Sequence, residues 1–148
     1  MVAFMAAILF VDGHSAVFAD PVLSAIHAEE PRKARQQLVG WLGAYQDASE
    51  VSVVVVFDGS QSQRHTEGGT EGEILVVYSE SSVSADAIIE EMAGRQAAKH
   101  QVTVASNDRL VLDGCSAKGA SATSITQLRE EVDQVLGRFQ KRWGIQSN

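Results

Sequence analysis

The chain contains three long apolar runs, each followed by an aspartate. The runs and the residues that end them are Ile8 to Gly13, Val51 to Gly59 and Val102 to Asp108. Apolar runs of this length, followed by turn residues, are typical of strands buried on both faces, as in a parallel sheet covered by helices. Such sheets bind ligands at the carboxyl ends of their strands. We therefore expect Asp12, Asp58 and Asp108 to form an acidic pocket at one edge of the sheet.

Helical patterns separate these strands. Pro21 to His27 is a candidate short helix, and Pro31 to Tyr45 has its proline in the first turn and one apolar stripe behind it. Ala85 to Lys99 and Ser124 to Trp143 also keep helical spacing, whereas His14 to Asp20 is predicted to be a loop. Strands that alternate with helices predict a three-layer α/β/α fold with a central, mainly parallel sheet.

The other segments give weaker signals. Gly59 to Gly72 is polar and rich in glycine, and a loop of this length is typically functional or disordered. Ile74 to Tyr78 reads as a third, shorter strand. Arg109 to Ala122 has no clear pattern beyond a short strand expected near Ala120, and the spacing of Ser124 to Gln127 fits a capping box at the start of the last helix.

Length and composition narrow the functional classes. A chain of 148 residues with 45% apolar residues fits one domain spanning residues 1–148. A net charge of -7 and a pI near 5.0 argue against coating nucleic acid through bulk positive charge, but leave a local basic patch open. The single cysteine, Cys115, excludes an internal disulfide framework and a cysteine-only zinc site.

The amino-terminal segment does not resemble a targeting sequence. Met1 to Val11 has no basic region and no small-residue cleavage site, and it is shorter than the roughly 20 apolar residues that span a bilayer. We expect a cytoplasmic protein that does not bind membranes.

Each aspartate taken alone has a simple structural explanation. Asp12-Gly13 and Asp58-Gly59 are typical turn pairs, Asp86 lies in the first turn of a predicted helix, and Asp108 reads as a turn residue or a cap. Together they indicate a functional site, because the predicted topology brings all four carboxylates to the same edge of the sheet.

A cluster of carboxylates favours a cation. Two carboxylates about 4 Å apart repel by roughly 4 kcal/mol at an effective dielectric constant near 20, so the cluster must protonate in part or hold positive ions. Oxygen ligands without a cysteine or histidine cluster favour Mg²⁺ or Mn²⁺. These ions activate water and neutralise charge on phosphate, so the pattern suits phosphoryl chemistry.

At these residues the chain resembles the NYN-domain family, in particular its YacP-like branch within the PIN-like nucleases. The likeness spans most of the chain in the right order. The segments that carry it are Val11-Asp12-Gly13, Val56-Phe57-Asp58, Val76 to Ser79, Ser84 to Glu90, Val102 to Arg109 and, less strongly, Gln127 to Val132.

The resemblance implies a PIN-like fold and a metal-dependent endoribonuclease that uses Mg²⁺ or Mn²⁺. It implies metal ligands at Asp12, Asp86 and Asp108, with Asp58 as a further catalytic acid. Glu90 lies one turn after Asp86 on the same helix face and could reach the same site. The implied partner is RNA, and messenger RNA on the ribosome is a candidate substrate.

The chain departs from the family pattern in two places. The family usually reads Asp-Gly-Tyr-Asn after the first strand, whereas this chain has Asp12-Gly13-His14-Ser15. Ser15 can replace the asparagine amide only in part. The family's Thr-Ser-Asp is replaced by Ser106-Asn107-Asp108. The acidic set is complete, so we expect an active enzyme.

Four residues are candidates for substrate binding. His14 and Ser15 follow the first aspartate, Arg109 follows Asp108, and Arg64 lies in the glycine-rich segment. A basic helix face at Arg32 to Arg35 is either a solvated surface or a phosphate contact.

Two other functions fit parts of the pattern. A non-catalytic module could keep the same fold to bind RNA or the ribosome, and the altered residue at Ser15 favours it. A receiver-type signalling domain would also place an acid at Asp58. It normally has a second acid beside the first-strand aspartate and a lysine after the last strand, and Lys118 matches that lysine poorly.

Overall fold

The computed structural model describes residues 5–142. Trp143, expected at the end of the last helix, lies outside the described residues. Strands and helices alternate along the described part of the chain. Their bounds are β1 Ala7–Asp12, α1 Gly13–Ala19, α2 Pro21–Glu29, α3 Pro31–Ser49, β2 Ser52–Phe57, β3 His65–Gly68, β4 Leu75–Tyr78, α4 Ala85–Ala97, β5 Gln101–Ala105, α5 Arg109–Ser116, β6 Ser121–Thr123 and α6 Ile125–Arg142.

The described strands form a six-stranded sheet in the order β3-β4-β2-β1-β5-β6. All neighbours pair in parallel except β3, which is antiparallel to β4. Val11 of β1 lies opposite Val55 of β2 and Ala105 of β5. The three strands that lead to aspartates are therefore adjacent and end at the same edge, which confirms the mainly parallel α/β sheet predicted from the apolar runs.

Both faces of the sheet are buried. Leu9 and Val11 of β1 pack in one core with residues of α1, α2, α3 and α6, whereas Phe10 packs in a second core with residues of α4 and α5. The alternation follows from the two-residue period of a strand. It confirms the three-layer arrangement and explains why the strand sequences are apolar throughout rather than alternating.

The prediction of a loop at residues 14–20 is wrong, because Gly13–Ala19 forms α1. Asp12 is the N-cap of this helix, and its side chain accepts a hydrogen bond from the backbone N–H of Ser15. Ala16 and Val17 are buried beneath it. A helix of seven residues is too short to show a clear period in the sequence, so its cap and its packing specify it.

The glycine-rich segment after Asp58 is only partly a loop. Its residues His65–Gly68 form β3, which extends the sheet through antiparallel pairing with β4. Gly68, the last residue of this strand, and Gly69, which follows it, have φ angles of +69° and +83°. β3 is largely exposed, and it lacks the apolar alternation that predicts a strand.

The segment with no clear pattern contains α5 and the expected short strand, β6. Asp108 caps α5 through a hydrogen bond from the backbone N–H of Leu110. The capping box before α6 is confirmed, because Ser124 Oγ accepts from the N–H of Gln127 and Gln127 Oε1 accepts from the N–H of Ser124. Across residues 5–142, no helix has both the length and the apolar character that crossing a membrane requires.

Candidate active site

Four aspartates lie at the carboxyl edge of the sheet. Asp12 ends β1, Asp58 directly follows β2, and Asp108 lies three residues beyond the end of β5. Asp86 is in the first turn of α4. Asp58 ties α4 to the sheet, because its Oδ1 accepts a hydrogen bond of 2.8 Å from the backbone N–H of Ala85.

The four carboxylates interact electrostatically. Partial burial raises the pKa of Asp86, and the negative charges of Asp12, Asp108 and Asp58 raise it further, in that order. The charge of His14 acts in the opposite direction. Side chains that are distant in the sequence therefore share one electrostatic environment, and a proton or a cation at Asp86 would relieve their repulsion.

Asp12 is the most buried of these acids, with 3% of its surface exposed. Its Oδ2 accepts hydrogen bonds from the hydroxyls of Ser15, at 2.8 Å, and Ser106, at 2.7 Å. Each hydroxyl also accepts a backbone N–H, from Asn107 and Asp108 respectively. Since each serine has a single hydroxyl proton, both protons are committed to the carboxylate, which is held in one orientation.

Three helices begin at this edge. Asp12 caps α1, Asp108 caps α5, and Asp58 binds the first backbone N–H of α4. Helix amino termini carry partial positive charge and unpaired N–H groups, so they stabilise carboxylates and phosphates nearby. This arrangement offsets part of the mutual repulsion of the four acids.

The donor chemistry of the acidic site suits a hard divalent cation, because all of its ligand candidates are carboxylate oxygens. Within residues 5–142, however, no three histidine, cysteine, aspartate or glutamate side chains are grouped so as to hold a metal ion. Mg²⁺ commonly binds through one or two carboxylates, with water and substrate phosphate as its other ligands. The site fits that kind of binding better than a cage made by the protein alone.

The sequence profile of the YacP-like NYN domain matches residues 9–147 of this chain. The chain belongs to the YacP-like NYN domain family. This family is part of the PIN-like nuclease superfamily, in agreement with the fold and with the resemblance read from the sequence.

Individual relatives agree with this assignment. The Bacillus subtilis protein YacP, described as uncharacterized, is 29% identical over 138 residues, which cover 91% of this chain and 80% of YacP. Two crystal structures of Rae1 (YacP) from Bacillus subtilis, one of them a W164L mutant, have a TM-score of 0.74 and 27% identity. Both matches cover 91% of this chain. They cover 79% of the W164L mutant chain and 78% of the other Rae1 chain.

Two predicted substrate residues of this NYN domain lie close together but differ in access. His14 is exposed on α1 and packs against Phe18, with ring centroids 4.5 Å apart and the rings tilted by 40°. Ser15 is 9% exposed, and its hydroxyl is engaged by Asp12 and Asn107. In this geometry Ser15 orients Asp12, whereas His14 faces the solvent beside the acids.

The other predicted side chains of the NYN domain differ in their partners. Arg109 is 88% exposed at the start of α5 and lies 3.8 Å from Asp113. Arg64 forms ion pairs with Glu80 at 3.3 Å and Glu91 at 3.8 Å. Of the two arginines, Arg109 is the more accessible to a substrate.

Glu90 points toward α5 rather than along the sheet edge. Its Oε1 lies 3.4 Å from Lys118 Nζ. Its carboxyl group is also close to the backbone of Gly114, where an added Cβ would lie 3.0 Å away. Glu90 lies one helical turn from Asp86, but its carboxylate pairs with Lys118. The spacing in the sequence does not reveal this ion pair.

Sequence reasoning missed the role of Ser106. It is fully buried and connects Asp12 to the backbone of Asp108. Its neighbour Asn107 accepts a hydrogen bond at Oδ1 from the N–H of Ile125, the first residue of α6. The polar tripeptide Ser106-Asn107-Asp108 after an apolar strand was the available signal in the sequence. The sequence does not show that the Ser106 hydroxyl points to Asp12, because that depends on β1 lying beside β5.

Proposed function

We propose that this chain is a Mg²⁺- or Mn²⁺-dependent endoribonuclease that hydrolyses RNA phosphodiester bonds at the four-aspartate edge. The observation that carries the proposal is the convergence of Asp12, Asp58, Asp86 and Asp108 at one edge of the sheet. Burial and the charges of the other three acids raise the pKa of Asp86 there. A carboxylate cluster of this kind favours a bound cation. Membership of a family in the PIN-like nuclease superfamily supports the same reaction class.

In the proposed mechanism, one or two of the carboxylates of Asp12, Asp86 and Asp108 would hold the ion, with Asp58 in support and with water and substrate phosphate as its other ligands. When bound, the ion would polarise the phosphate and lower the pKa of a water molecule. Ser15 and Ser106 keep the Asp12 carboxylate oriented, so little reorganisation accompanies binding.

The substrate side of the proposal uses the exposed side chains around the acids. His14 lies within electrostatic reach of Asp86, and Arg109 follows Asp108 on an accessible helix start. Arg64 is a further candidate, and it would have to leave its ion pair with Glu80 in order to bind a phosphate of the RNA. The family resemblance extends the proposal to messenger RNA on the ribosome, which a comparison of free and ribosome-associated RNA as substrates would test.

The deciding experiment measures cleavage of a single-stranded RNA with Mn²⁺, Mg²⁺ or excess EDTA. We expect metal-dependent cleavage that Asp12→Asn and Asp86→Asn each reduce by about a hundredfold or more, because each variant removes a charge that faces the cation. Asp86 is only partly buried, so its variant tests the site even if Asp12→Asn disturbs the fold.

Asp47→Asn is the matched control. Asp47 is exposed in the last turns of α3, at the opposite edge of the sheet, and this variant should cleave like the wild type. Wild-type cleavage in excess EDTA contradicts the metal mechanism.

One observation favours a second candidate, a non-catalytic RNA- or ribosome-binding module. No three acids in the described part of the chain form a ready metal site, and the family asparagine is replaced by Ser15, whose hydroxyl is engaged internally. Such a module would bind RNA without turnover at any metal concentration. The family assignment disfavours the receiver-type alternative.

A further inference from the structure

A cleft of about 830 Å³ opens beside the acidic site, between α3 and the β3–β4 edge of the sheet. We call it the α3–β4 cleft. One wall is a single face of α3, because its residues recur at helical spacing. The opposite wall comes from β3 and β4, and the end nearest the acids is formed by Asp58 and Gly59. The lining includes Arg32, Arg35, Gln36 and Val39 from α3 and His65, Glu67 and Tyr78 from the sheet.

Two buried polar atoms in this cleft have no hydrogen-bond partner. They are Nε of Arg35 and Nδ1 of His65, and within residues 5–142 no other buried side-chain nitrogen or oxygen lacks one. Buried polar groups in native proteins are nearly always paired with protein, water or a bound group. Both unpaired atoms belong to residues that line the same cleft, so water or a polar ligand that entered it could complete their hydrogen bonds after a small side-chain movement.

The charge of the α3 wall favours an anion. Neither Arg32 nor Arg35 forms an ion pair with a described residue, whereas Lys33, on the same helix, lies 3.9 Å from Glu30. Guanidinium groups match phosphate oxygens in geometry and hydrogen bonding. The opposite wall carries Glu67, so the anion-binding side of the cleft is α3.

The β4 wall is aromatic. The Tyr78 ring stacks between His65, at 4.6 Å and 9°, and Phe57, at 5.6 Å and 26°. Nucleic acid bases stack on aromatic side chains in single-strand binding grooves, where cationic side chains follow the backbone. Because neighbouring rings cover both faces of Tyr78, a base could stack only on the outer face of His65, which lines the cleft. With arginines on the opposite wall, the cleft fits a single-stranded nucleic acid better than a free anion.

The cleft adjoins the acidic site, because Asp58 lines it. A second concavity shares Arg35 and Asp58 with it and is also lined by His14 and Phe18 of α1. The helix that Asp12 caps therefore borders the same groove as Arg35.

We infer that the α3–β4 cleft binds the phosphate backbone of single-stranded RNA on one side of the bond to be cleaved, with Arg35 and Arg32 as phosphate contacts. The inference rests on the proposed function for its choice of ligand. It assigns a binding role to the basic face of α3.

The test measures affinity rather than cleavage. A fluorescent single-stranded RNA is titrated with each variant in EDTA at several salt concentrations. We expect Arg35→Gln and Arg32→Gln to bind roughly tenfold more weakly than the wild type, since each loses a charge-assisted hydrogen bond. The slope of log affinity against log salt concentration should fall by about 0.7 for each lost phosphate contact.

Lys33→Gln is the matched control, because it removes the same charge from the same helix without touching the cleft. It should bind within about twofold of the wild type. Circular dichroism verifies folding, and if Arg35→Gln does not fold, the exposed Arg32→Gln decides the question.

The inference is overturned if the folded arginine variant binds as tightly as Lys33→Gln, or if the wild type does not bind RNA in EDTA. Failure of the proposed nuclease activity is a separate result. If the chain binds RNA through Arg35 but never cleaves it, the binding role of the cleft is supported and the proposed nuclease activity is contradicted.

Discussion

At the scale of single residues, the acidic edge combines two kinds of carboxylate. Asp12 is buried and fixed by two serine hydroxyls, whereas Asp86 is half-buried and carries the repulsion of its neighbours. The fold therefore orients the carboxylate of Asp12 and disfavours the ionised form of Asp86. Both properties favour cation binding. A fixed carboxylate needs little reorganisation when the ion binds, and the ion relieves the repulsion between the neighbouring carboxylates.

The raised pKa of Asp86 gives a prediction on stability. In the unfolded chain the pKa lies near 3.8, and in the folded chain it is higher. The folded state therefore binds the proton more tightly, and the contribution of Asp86 to the free energy of unfolding falls as pH rises through this interval. Asp86→Asn should be more stable than the wild type at neutral pH in EDTA, by up to about 1 kcal/mol since the group is partly exposed.

Urea unfolding at neutral pH and below pH 3.8 measures this difference. The stabilisation should disappear at the lower pH, where the wild-type carboxyl is protonated in both states. Asp47→Asn, at the opposite edge of the sheet, should change stability by less than about 0.5 kcal/mol at either pH. A destabilised Asp86→Asn at neutral pH would show that the helix dipole outweighs the acidic repulsion.

At the scale of secondary structure elements, the site depends on close approaches between turns and strands. A Cβ at Gly59 would lie 2.0 Å from the backbone oxygen of Ser79, and the Ser79 hydroxyl accepts the N–H of Gly59. This turn fixes Asp58 against the start of α4. Gly59 is therefore required by the packing of β2 against β4, in addition to any preference of turns for glycine.

Gly59→Ala should lower the free energy of unfolding by about 1–3 kcal/mol, because backbone atoms must move to admit the methyl group. Gly40→Ala is the control, since a Cβ there meets nothing within 4 Å on α3. It should raise stability by about 0.5–1 kcal/mol by restricting the unfolded chain. Chemical denaturation of both variants measures the changes, and equal stabilities would show that the turn adapts to a side chain.

At the scale of the whole molecule, the sheet gathers acids from remote parts of the chain, so ligand binding there should stabilise the entire fold. If Mn²⁺ binds the native state, a concentration one hundred times its dissociation constant adds about 2.7 kcal/mol of stability. For a chain of this size that corresponds to a rise in melting temperature of roughly 5–10 °C.

Thermal unfolding with and without Mn²⁺ measures the shift, which should be lost in Asp86→Asn and kept in Asp47→Asn. An equal shift in both variants would place the ion away from the acidic edge.

The layers of this fold, and the edge of the sheet at which its acids lie, follow from patterns in the amino-acid sequence. Continuous apolar runs require a sheet buried on both faces, and parallel strands bring Asp12, Asp58 and Asp108 to one edge because their carboxyl ends are adjacent. Both features depend only on local periodicity and on the parallel order of the strands.

The surroundings of the acids, in contrast, depend on long-range packing. The helix α1, the strand β3, the buried Ser106 and the pairing of Glu90 with Lys118 all depend on contacts between residues far apart in the sequence. A short helix or an edge strand has too few residues to show a period, and a side chain's hydrogen-bond partners depend on which element lies beside it.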